Sequence, residues 1–166
     1  MPEKIRLSKL SKSRTADHID ALLLSALVAD PDANNVALAQ RTGLARNTVR
    51  TRRERYASES LLRSFERRID PAFLGFPLEA FVFTTVRQRM LPDISAALAE
   101  VPEVVQVHGL AGAADLLVYV VARDAEDLYR IAGHILAIEG VERTTTELVV
   151  GEFVKHRMAQ LIDTRH

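Results

Sequence analysis

The chain has 166 residues, of which 48% are apolar and 27% are charged. This length allows one domain or two small ones, and the ordinary composition excludes wholesale disorder. Because the sequence contains no cysteine, disulfides, thiolate zinc sites, iron–sulfur clusters and cysteine nucleophiles are excluded. No stretch approaches the roughly 18 consecutive apolar residues of a membrane span. The start of the chain carries charges throughout, unlike a signal peptide, so we expect a cytoplasmic protein without a membrane partner.

The formal net charge is zero, but the two halves of the chain carry opposite charge. Residues 1–68 contain 14 Lys and Arg against 8 Asp and Glu, a balance of +6; residues 69–166 contain 8 against 14, a balance of −6. Lys and Arg displace the counterions condensed on nucleic acid, so the basic half predicts a polyanionic partner. The acidic half is a poor surface for that contact, and the split indicates two domains with separate tasks.

A basic arm precedes the first predicted helix. Residues 1–16 are polar and basic, and they form either a solvated terminus or an arm that touches phosphates. The helix begins at Asp17, because Asp20 stands three residues further on as in a capping box and apolar residues then recur at helical spacing. It stops at Asp30-Pro31, since proline disfavours a helical residue before it.

Two further helices joined by a tight turn complete the N-terminal domain. The shorter one is capped by Asn34 or Asn35 and ends near Gly43. The longer one runs from about Arg46 to Ser58. Three short helices, the last two joined by a glycine turn, predict a helix-turn-helix domain over residues 17–62.

The third predicted helix carries the residues expected to contact DNA. At about 100° per residue, Val49 and Tyr56 face the core, which leaves Arg50 and Asn47 on the opposite side. In a helix-turn-helix that side lies in the major groove, where Arg binds guanine and Asn binds adenine bidentately. The alternative is a basic helix that is only solvated; six arginines between positions 41 and 55 against one glutamate favour DNA. The predicted DNA-binding residues are Arg46, Asn47, Thr48, Arg50, Thr51, Arg52 and Arg55, with Arg46, Arg52 and Arg55 expected on phosphates.

The rest of the chain predicts a linker and a second domain. Residues 63–77 combine a short polar strand with Asp-Pro and Gly-Phe-Pro breakers, which is typical of a linker. Residues 78–166 then predict the order βαββαβ, the ferredoxin-like plan, so the predicted fold class of the whole chain is α+β. The predicted strands are Leu78–Arg87, Glu103–His108, Leu116–Ala122 and Val141 to about Phe153, and the predicted helices are Asp93–Glu100 and Asp124–Ile138, the latter closed by Gly140.

The first strand of the second domain is apolar on both faces. Ala80, Val82 and Val86 point one way, whereas Phe81 and Phe83 point the other. Only one face can meet the two helices of this domain. The spare face predicts an interface with a second subunit, with Phe81 and Phe83 shielded in a homodimer.

Five stretches in this order resemble the Lrp/AsnC family of prokaryotic regulators. They are DHIDALLLSAL, VALAQRTGLARNTVRTRRERY, IDPAFLGF, VPEVVQVHGLAGAADLLVYV and GVERTTTELVVGEF, from about Asp17 to His156. The resemblance implies an N-terminal DNA-binding helix-turn-helix and a C-terminal ferredoxin-like (RAM-type) domain that forms dimers and higher even assemblies. It also implies transcription control tuned by an amino acid or a similar small molecule.

The resemblance places an effector at the loop around Gly112. The residues implied are His108, Leu110, Gly112, Ala113, Ala114 and Asp115. The alternative is a plain hairpin connection between strands. Relatives tend to carry an acidic residue and Tyr where Ala113 and Ala114 stand, so the loop indicates either a small or apolar amino acid or no effector at all.

Three other positions depart from the family pattern. Ala45 replaces a capping Ser, which weakens the start of the third helix by about 1 kcal/mol. Arg53 occupies a usually apolar position, and Ser60 replaces a common Gly after the helix.

Two alternatives to a regulator follow from the same resemblance. Sirohaem decarboxylases look like this family in both domains, but they carry a His and an aromatic-Asn pattern where residues 112–118 read GAADLLV here. The second alternative is a ligand-binding or assembly protein with a non-functional helix-turn-helix. No catalytic dyad is assignable and the five histidines do not stand at metal-binding spacing, so we expect no enzyme activity, no metal and no cofactor.

Overall fold

The computed structural model describes residues 15–162, which form two compact units. The helical unit comprises residues 15–64 together with residues 155–162, and the sheet unit comprises residues 65–154. The structure thus assigns residues 155–162 to the helical unit, whereas the sequence predicts one domain over 78–166. The basic arm falls almost entirely outside the described residues.

The elements follow the predicted order closely. In chain order they are α1 (His18–Ala29), α2 (Asn35–Thr42), α3 (Arg46–Ser58), β1 (Leu78–Val86), α4 (Leu91–Ala99), β2 (Val104–Gly109), β3 (Leu116–Ala122), α5 (Ala125–Leu136), β4 (Val141–Leu148) and α6 (Ala159–Ile162). Most boundaries agree with the sequence because local capping residues set them.

Side chains cap the first two helices. The Asp17 carboxylate accepts from the Asp20 backbone N–H at 2.9 Å, and the Asp20 carboxylate accepts from that of Asp17 at 3.1 Å. This capping box begins α1 where the sequence predicts it. Asn34, not Asn35, caps α2, and Gly43 ends that helix with φ 72°.

A small apolar core holds the three helices of this unit together. One fully buried residue from each helix contributes to it: Leu23, Leu38 and Val49. Burying such a side chain stabilises a fold by about 1.5–3 kcal/mol. This core fixes which side of α3 faces outward.

The linker forms helical turns, so the predicted short strand within residues 63–77 is wrong. Two 3-10 turns occupy Phe65–Arg68 and Pro71–Leu74. Their backbone bonds are local, for example from the Phe73 N–H to the Asp70 carbonyl at 3.1 Å, and the Asp70 carboxylate caps the second turn. A strand needs a partner strand for its backbone groups, and the described residues offer this segment none.

The sheet unit has the predicted ferredoxin-like topology. Its four strands lie in the order β2-β3-β1-β4, and every neighbouring pair is antiparallel. Helices α4 and α5 cover one face, and the core between helices and sheet includes Val82, Val118, Ile94 and Ile131. The opposite face of the sheet carries no helix of this unit, and we call it the open face.

Two predicted boundaries in the sheet unit need correction. Helix α5 is closed at Ala137 rather than by Gly140. Gly140 instead forms the turn into β4 with φ 94°, a backbone conformation that favours glycine. A Cβ at this position would also lie 2.9 Å from Ile94 Cδ1, which is too close. Strand β4 ends at Leu148, opposite Ala80 of β1, rather than near Phe153. Since β1 begins at Leu78, only two residues beyond that pair remain, too few to pair with a strand that continues to Phe153.

Candidate functional site

Helix α3 presents a polar outer face. Val49 and Tyr56 are buried and fix its orientation, as the helical wheel predicts. The exposed residues of α3 include four of the predicted DNA-binding set: Arg46, Asn47, Arg50 and Thr51. Thr48 is half-buried, as are Arg52 and Arg55.

A buried carboxylate ties the second half of α3 to α1. Asp20 is only 1% exposed, and it accepts from the Tyr56 hydroxyl at 2.8 Å, from Arg52 at 3.0 Å and from Arg55 at 3.2 Å. With the capping bond from Asp17 N–H, four donors surround this carboxylate, which is its full capacity. We call Asp17, Asp20, Arg52, Arg55 and Tyr56 the Asp20 cluster.

The charges of the Asp20 cluster support one another. The Asp20 backbone N–H, and after it Arg52, hold the pKa of the Asp17 carboxyl below its usual value. Arg52 lies 2.7 Å from Asp17, and this bond raises the pKa of the Arg52 guanidinium. Burial, reinforced by the hydrogen bond to Asp20, raises the pKa of Tyr56.

This cluster changes the interpretation of two predicted phosphate contacts. The side chains of Arg52 and Arg55 are 21% and 30% exposed and are paired with Asp17 and Asp20. Each guanidinium keeps further N–H donors, but these carboxylates set where it lies. The observed contacts of Arg52 and Arg55 are structural, and we propose that the two side chains serve this role in place of the predicted phosphate contact.

Two more arginines of the basic run also hold the fold. Arg41 donates to the Ala26 carbonyl at 3.3 Å and pairs with Asp30 at 3.4 Å, which fastens α2 to the end of α1. Arg53, at its usually apolar position, donates to the Ala33 carbonyl and to Asn35 Oδ1. The loop before α2 is thereby fastened to α3.

Two arginines of the run are left at the outer surface of α3. In the described part of the chain neither Arg46 nor Arg50 forms an ion pair. Arg50 Nη2 donates to Asn47 Oδ1 at 2.9 Å. Ala45 supplies no side-chain cap at the start of α3, because its methyl group cannot accept a hydrogen bond.

The predicted effector residues lie in and beside the loop between β2 and β3. Leu110, Gly112 and Ala113 are exposed, and Ala114 and Asp115 are half-buried. A Cβ added at Gly112 would meet nothing within 4 Å. The loop therefore has room for a small group beside it.

Asp115 fastens this loop to the end of β1. Its carboxylate accepts from the Val86 backbone N–H at 2.8 Å and from Gln88 Nε2 at 2.6 Å. Its own backbone N–H donates to the Thr84 carbonyl. Each carboxylate oxygen thus already has one donor, and each keeps a free lone pair for another.

The open face carries the predicted interface residues. Phe81 is 37% exposed, Phe83 is half-buried, and the Phe81 ring lies 5.5 Å from the Tyr119 ring between centroids. Tyr119 donates a very short hydrogen bond to Glu79, and burial raises the pKa of Tyr119. Glu147 and Thr145 of β4 lie opposite Phe81 and Phe83, so the open face combines aromatic side chains with polar ones.

His108 belongs to the open face as well as to the loop. It pairs with Leu117 of β3, and Leu117 in turn lies opposite Phe83 of β1. Its neighbour Val107 packs into the core, so His108 points the other way. A predicted effector residue and a predicted interface residue are thus brought onto one surface.

Sequence reasoning missed the partners of the arginines and the contact of Gln88. The local pattern indicates Asp20 only as part of a cap, although its carboxylate also binds residues 32 to 36 positions further along the chain.

Within residues 15–162 no group of three His, Cys, Asp or Glu side chains could hold a metal. In the same part of the chain, no helix is long and apolar enough to cross a membrane.

Two family models match the chain. Residues 17–56 match the AsnC-type helix-turn-helix domain, and residues 79–159 match the Lrp/AsnC ligand binding domain. Each model covers one of the two predicted functional regions.

Individual relatives agree with the family models. The chain is 33% identical to the HTH-type transcriptional regulator AldR of Mycolicibacterium smegmatis, over 83% of each chain. It is 30% identical to the HTH-type transcriptional regulator FL11 of Pyrococcus horikoshii, over 81% of this chain and 89% of that one. A feast or famine regulatory protein of M. tuberculosis, solved in complex with L-methionine, is 29% identical with a TM-score of 0.74, covering 92% of this chain and 99% of that chain.

Proposed function

The chain belongs to the Lrp/AsnC family of transcriptional regulators, and on that basis we propose that α3 contacts operator DNA through Arg46, Asn47, Arg50 and Thr51. The observation that carries this proposal is the exposed polar face of α3, on which Arg46 and Arg50 have no carboxylate partner among the described residues. Thr48, half-buried beside them, is a secondary candidate. The function that we propose is transcription regulation and not catalysis. A regulator of this kind acts on the chromosome, so we propose that the protein is cytoplasmic.

The two arginines have different tasks in this proposal. Arg50 lies one turn beyond the start of α3 and reads a guanine edge in the major groove. Arg46 begins the helix and holds a phosphate, which gives affinity without sequence preference.

We propose that the open face joins two copies of the chain. Exposed aromatic groups such as Phe81 bury apolar surface when a second open face covers them. A dimer presents two copies of α3, which would read two related half-sites about one helical turn apart or a multiple of it. Light scattering should give a mass of at least twice 18.5 kDa; a monomer at micromolar concentration would remove this part of the proposal.

We propose that any effector binds at the loop of residues 108–115. Backbone amides around Gly112 suit a carboxylate, and the free lone pairs of Asp115 suit an ammonium group. Ala113 and Ala114 offer only methyl groups to the ligand side chain, so a small or apolar amino acid fits best; the M. tuberculosis relative was solved with methionine, which is apolar. The alternative of a regulator without an effector stays open.

A thermal-shift screen of the twenty amino acids separates these alternatives. A stabilising amino acid should lose its effect in Gly112→Asp, because the added carboxylate repels the ligand carboxylate, while the new Cβ would meet nothing within 4 Å. A hit unchanged by this variant would place the pocket elsewhere, and no hit at all would favour effector-independent regulation. A true effector must also change DNA affinity or oligomer size.

The DNA proposal is tested by salt-dependent binding to the upstream region of the protein's own gene. Arg46→Ala should weaken binding to all sequences alike and reduce the slope of log affinity against log salt by about 1. Arg89→Ala is the matched control, because Arg89 is an exposed arginine of the sheet unit. Equal effects of the two substitutions would refute the role of Arg46.

A further inference from the structure

Asn47 and Arg50 stand one turn apart on α3 and are hydrogen-bonded to each other. Arg50 Nη2 donates to Asn47 Oδ1 at 2.9 Å, and both side chains are exposed. A guanidinium can only donate, so the Asn47 amide must turn its oxygen toward Arg50 and its NH₂ group away. The chemistry of the pair therefore fixes the orientation of the amide.

We propose that Asn47 is a positioning residue that presets Arg50 for a guanine and is not an independent reader of adenine. This inference rests on the proposed function, in which Arg50 contacts a base edge. It assigns the two side chains to one base pair of the operator instead of two.

The hydrogen-bonding capacity of each side chain supports this assignment. Bidentate recognition of adenine needs the amide oxygen to accept from N6 while the NH₂ group donates to N7. In the observed geometry the Asn47 oxygen accepts from Arg50, so turning the amide to face adenine N6 and N7 competes with that bond. Arg50 has five N–H donors and spends one on Asn47, so a parallel pair remains for guanine O6 and N7.

Asn47 is also the one side-chain partner that the described residues give Arg50. Glu54 lies one turn beyond Arg50, but residues 15–162 contain no ion pair between the two. A long exposed side chain loses rotamer freedom when it binds DNA, and a bond that restrains it beforehand reduces that loss. Asn47 thus raises affinity for the correct base through Arg50.

Arg46 supplies a matched comparison for a double-mutant cycle. It is an exposed arginine next to Asn47 in sequence, and within residues 15–162 its side chain forms no hydrogen bond with that of Asn47. Asn47→Ala should weaken operator binding about 3- to 10-fold. In the Arg50→Ala background, Asn47→Ala should weaken operator binding by less than a further factor of about 2. In the Arg46→Ala background, Asn47→Ala should weaken operator binding by the same factor as in the wild type. Alanine favours helix, so both single variants should keep the fold.

Selection from a library of randomised half-sites gives the readout that a merely structural role would not change. Asn47→Ala and Arg50→Ala should relax the base preference at the same base pair. Asn47→Asp keeps an oxygen acceptor for Arg50 and should retain that preference.

Two outcomes would overturn the inference, and they differ. If Asn47→Ala relaxes an adenine at a different base pair and its effect multiplies with that of Arg50→Ala, Asn47 reads DNA by itself and only this inference fails. If Arg50→Ala leaves every base preference unchanged, the proposed reading by Arg50 fails and this inference fails with it.

Discussion

The two ends of α3 carry the same kind of residue and use it in opposite ways. At its start, Arg46 and Arg50 are exposed without a carboxylate partner in the described chain, and Ala45 leaves the helix without a side-chain cap. Toward its end, Arg52 and Arg55 are held by carboxylates of α1. The role of each arginine therefore depends on whether a carboxylate of another helix binds it, and not on the density of arginines along the chain.

The largest expected effect comes from removing the carboxylate that holds the second end. Asp20→Ala leaves Arg52, Arg55 and the Tyr56 hydroxyl without their shared acceptor, and should lower the free energy of unfolding by about 3 kcal/mol. Urea denaturation measures this change. The control is Asp30→Ala, since the Asp30–Arg41 pair is 42% and 46% exposed and should be worth less than about 1 kcal/mol. Equal costs for the two substitutions would contradict the structural task of Asp20.

A smaller effect is expected from adding a cap to the first end. Ala45 has the extended backbone of an N-cap residue, with φ −63° and ψ 140°. Ala45→Ser places a hydroxyl where it can accept from the first-turn N–H groups, and should raise the free energy of unfolding by about 1 kcal/mol. Thermal unfolding at fixed pH measures the gain; a loss of stability would show that the start of α3 is not limited by its cap.

The smallest effect is a pH dependence at the second end. The folded state lowers the pKa of Asp17, so the stabilisation from its charge is present above the unfolded value of about 3.9 and is lost as pH falls through the folded value. Asp17→Asn keeps a good cap but removes the charge facing Arg52. The stability difference between wild type and this variant should shrink on acidification. It should stay below about 1 kcal/mol, because Asp17 is 51% exposed. If the difference in free energy of unfolding between wild type and Asp17→Asn grew toward acid pH, the charge of Asp17 would not stabilise the fold.

Local signals predicted most of the fold. Asp17, Asn34 and Gly43 act within a few residues of their own position, so they could be interpreted from the sequence alone. The alternation of β1 likewise separated the buried Val82 from the exposed Phe81.

Long-range partners could not be predicted in the same way. The cluster around Asp20 joins residues more than 30 positions apart, and no local pattern indicates which arginines an acid will meet. The turns of residues 65–74 differ from the predicted strand because a strand depends on a neighbour that the sequence does not specify. Helical periodicity predicts which residues of α3 are exposed. It does not predict which of the arginines bind carboxylates of α1 and which are left without a carboxylate partner in the described chain.

Comparing Arg50→Ala with Arg52→Ala tests that division most directly, with operator affinity and the free energy of unfolding measured for both. Arg50→Ala should weaken operator binding about 10- to 100-fold and change the free energy of unfolding by less than about 0.5 kcal/mol. Arg52→Ala should lower the free energy of unfolding by more than about 1 kcal/mol, while the folded protein keeps its operator affinity within about 3-fold. A fully folded Arg52→Ala protein that loses as much affinity as Arg50→Ala would contradict the account.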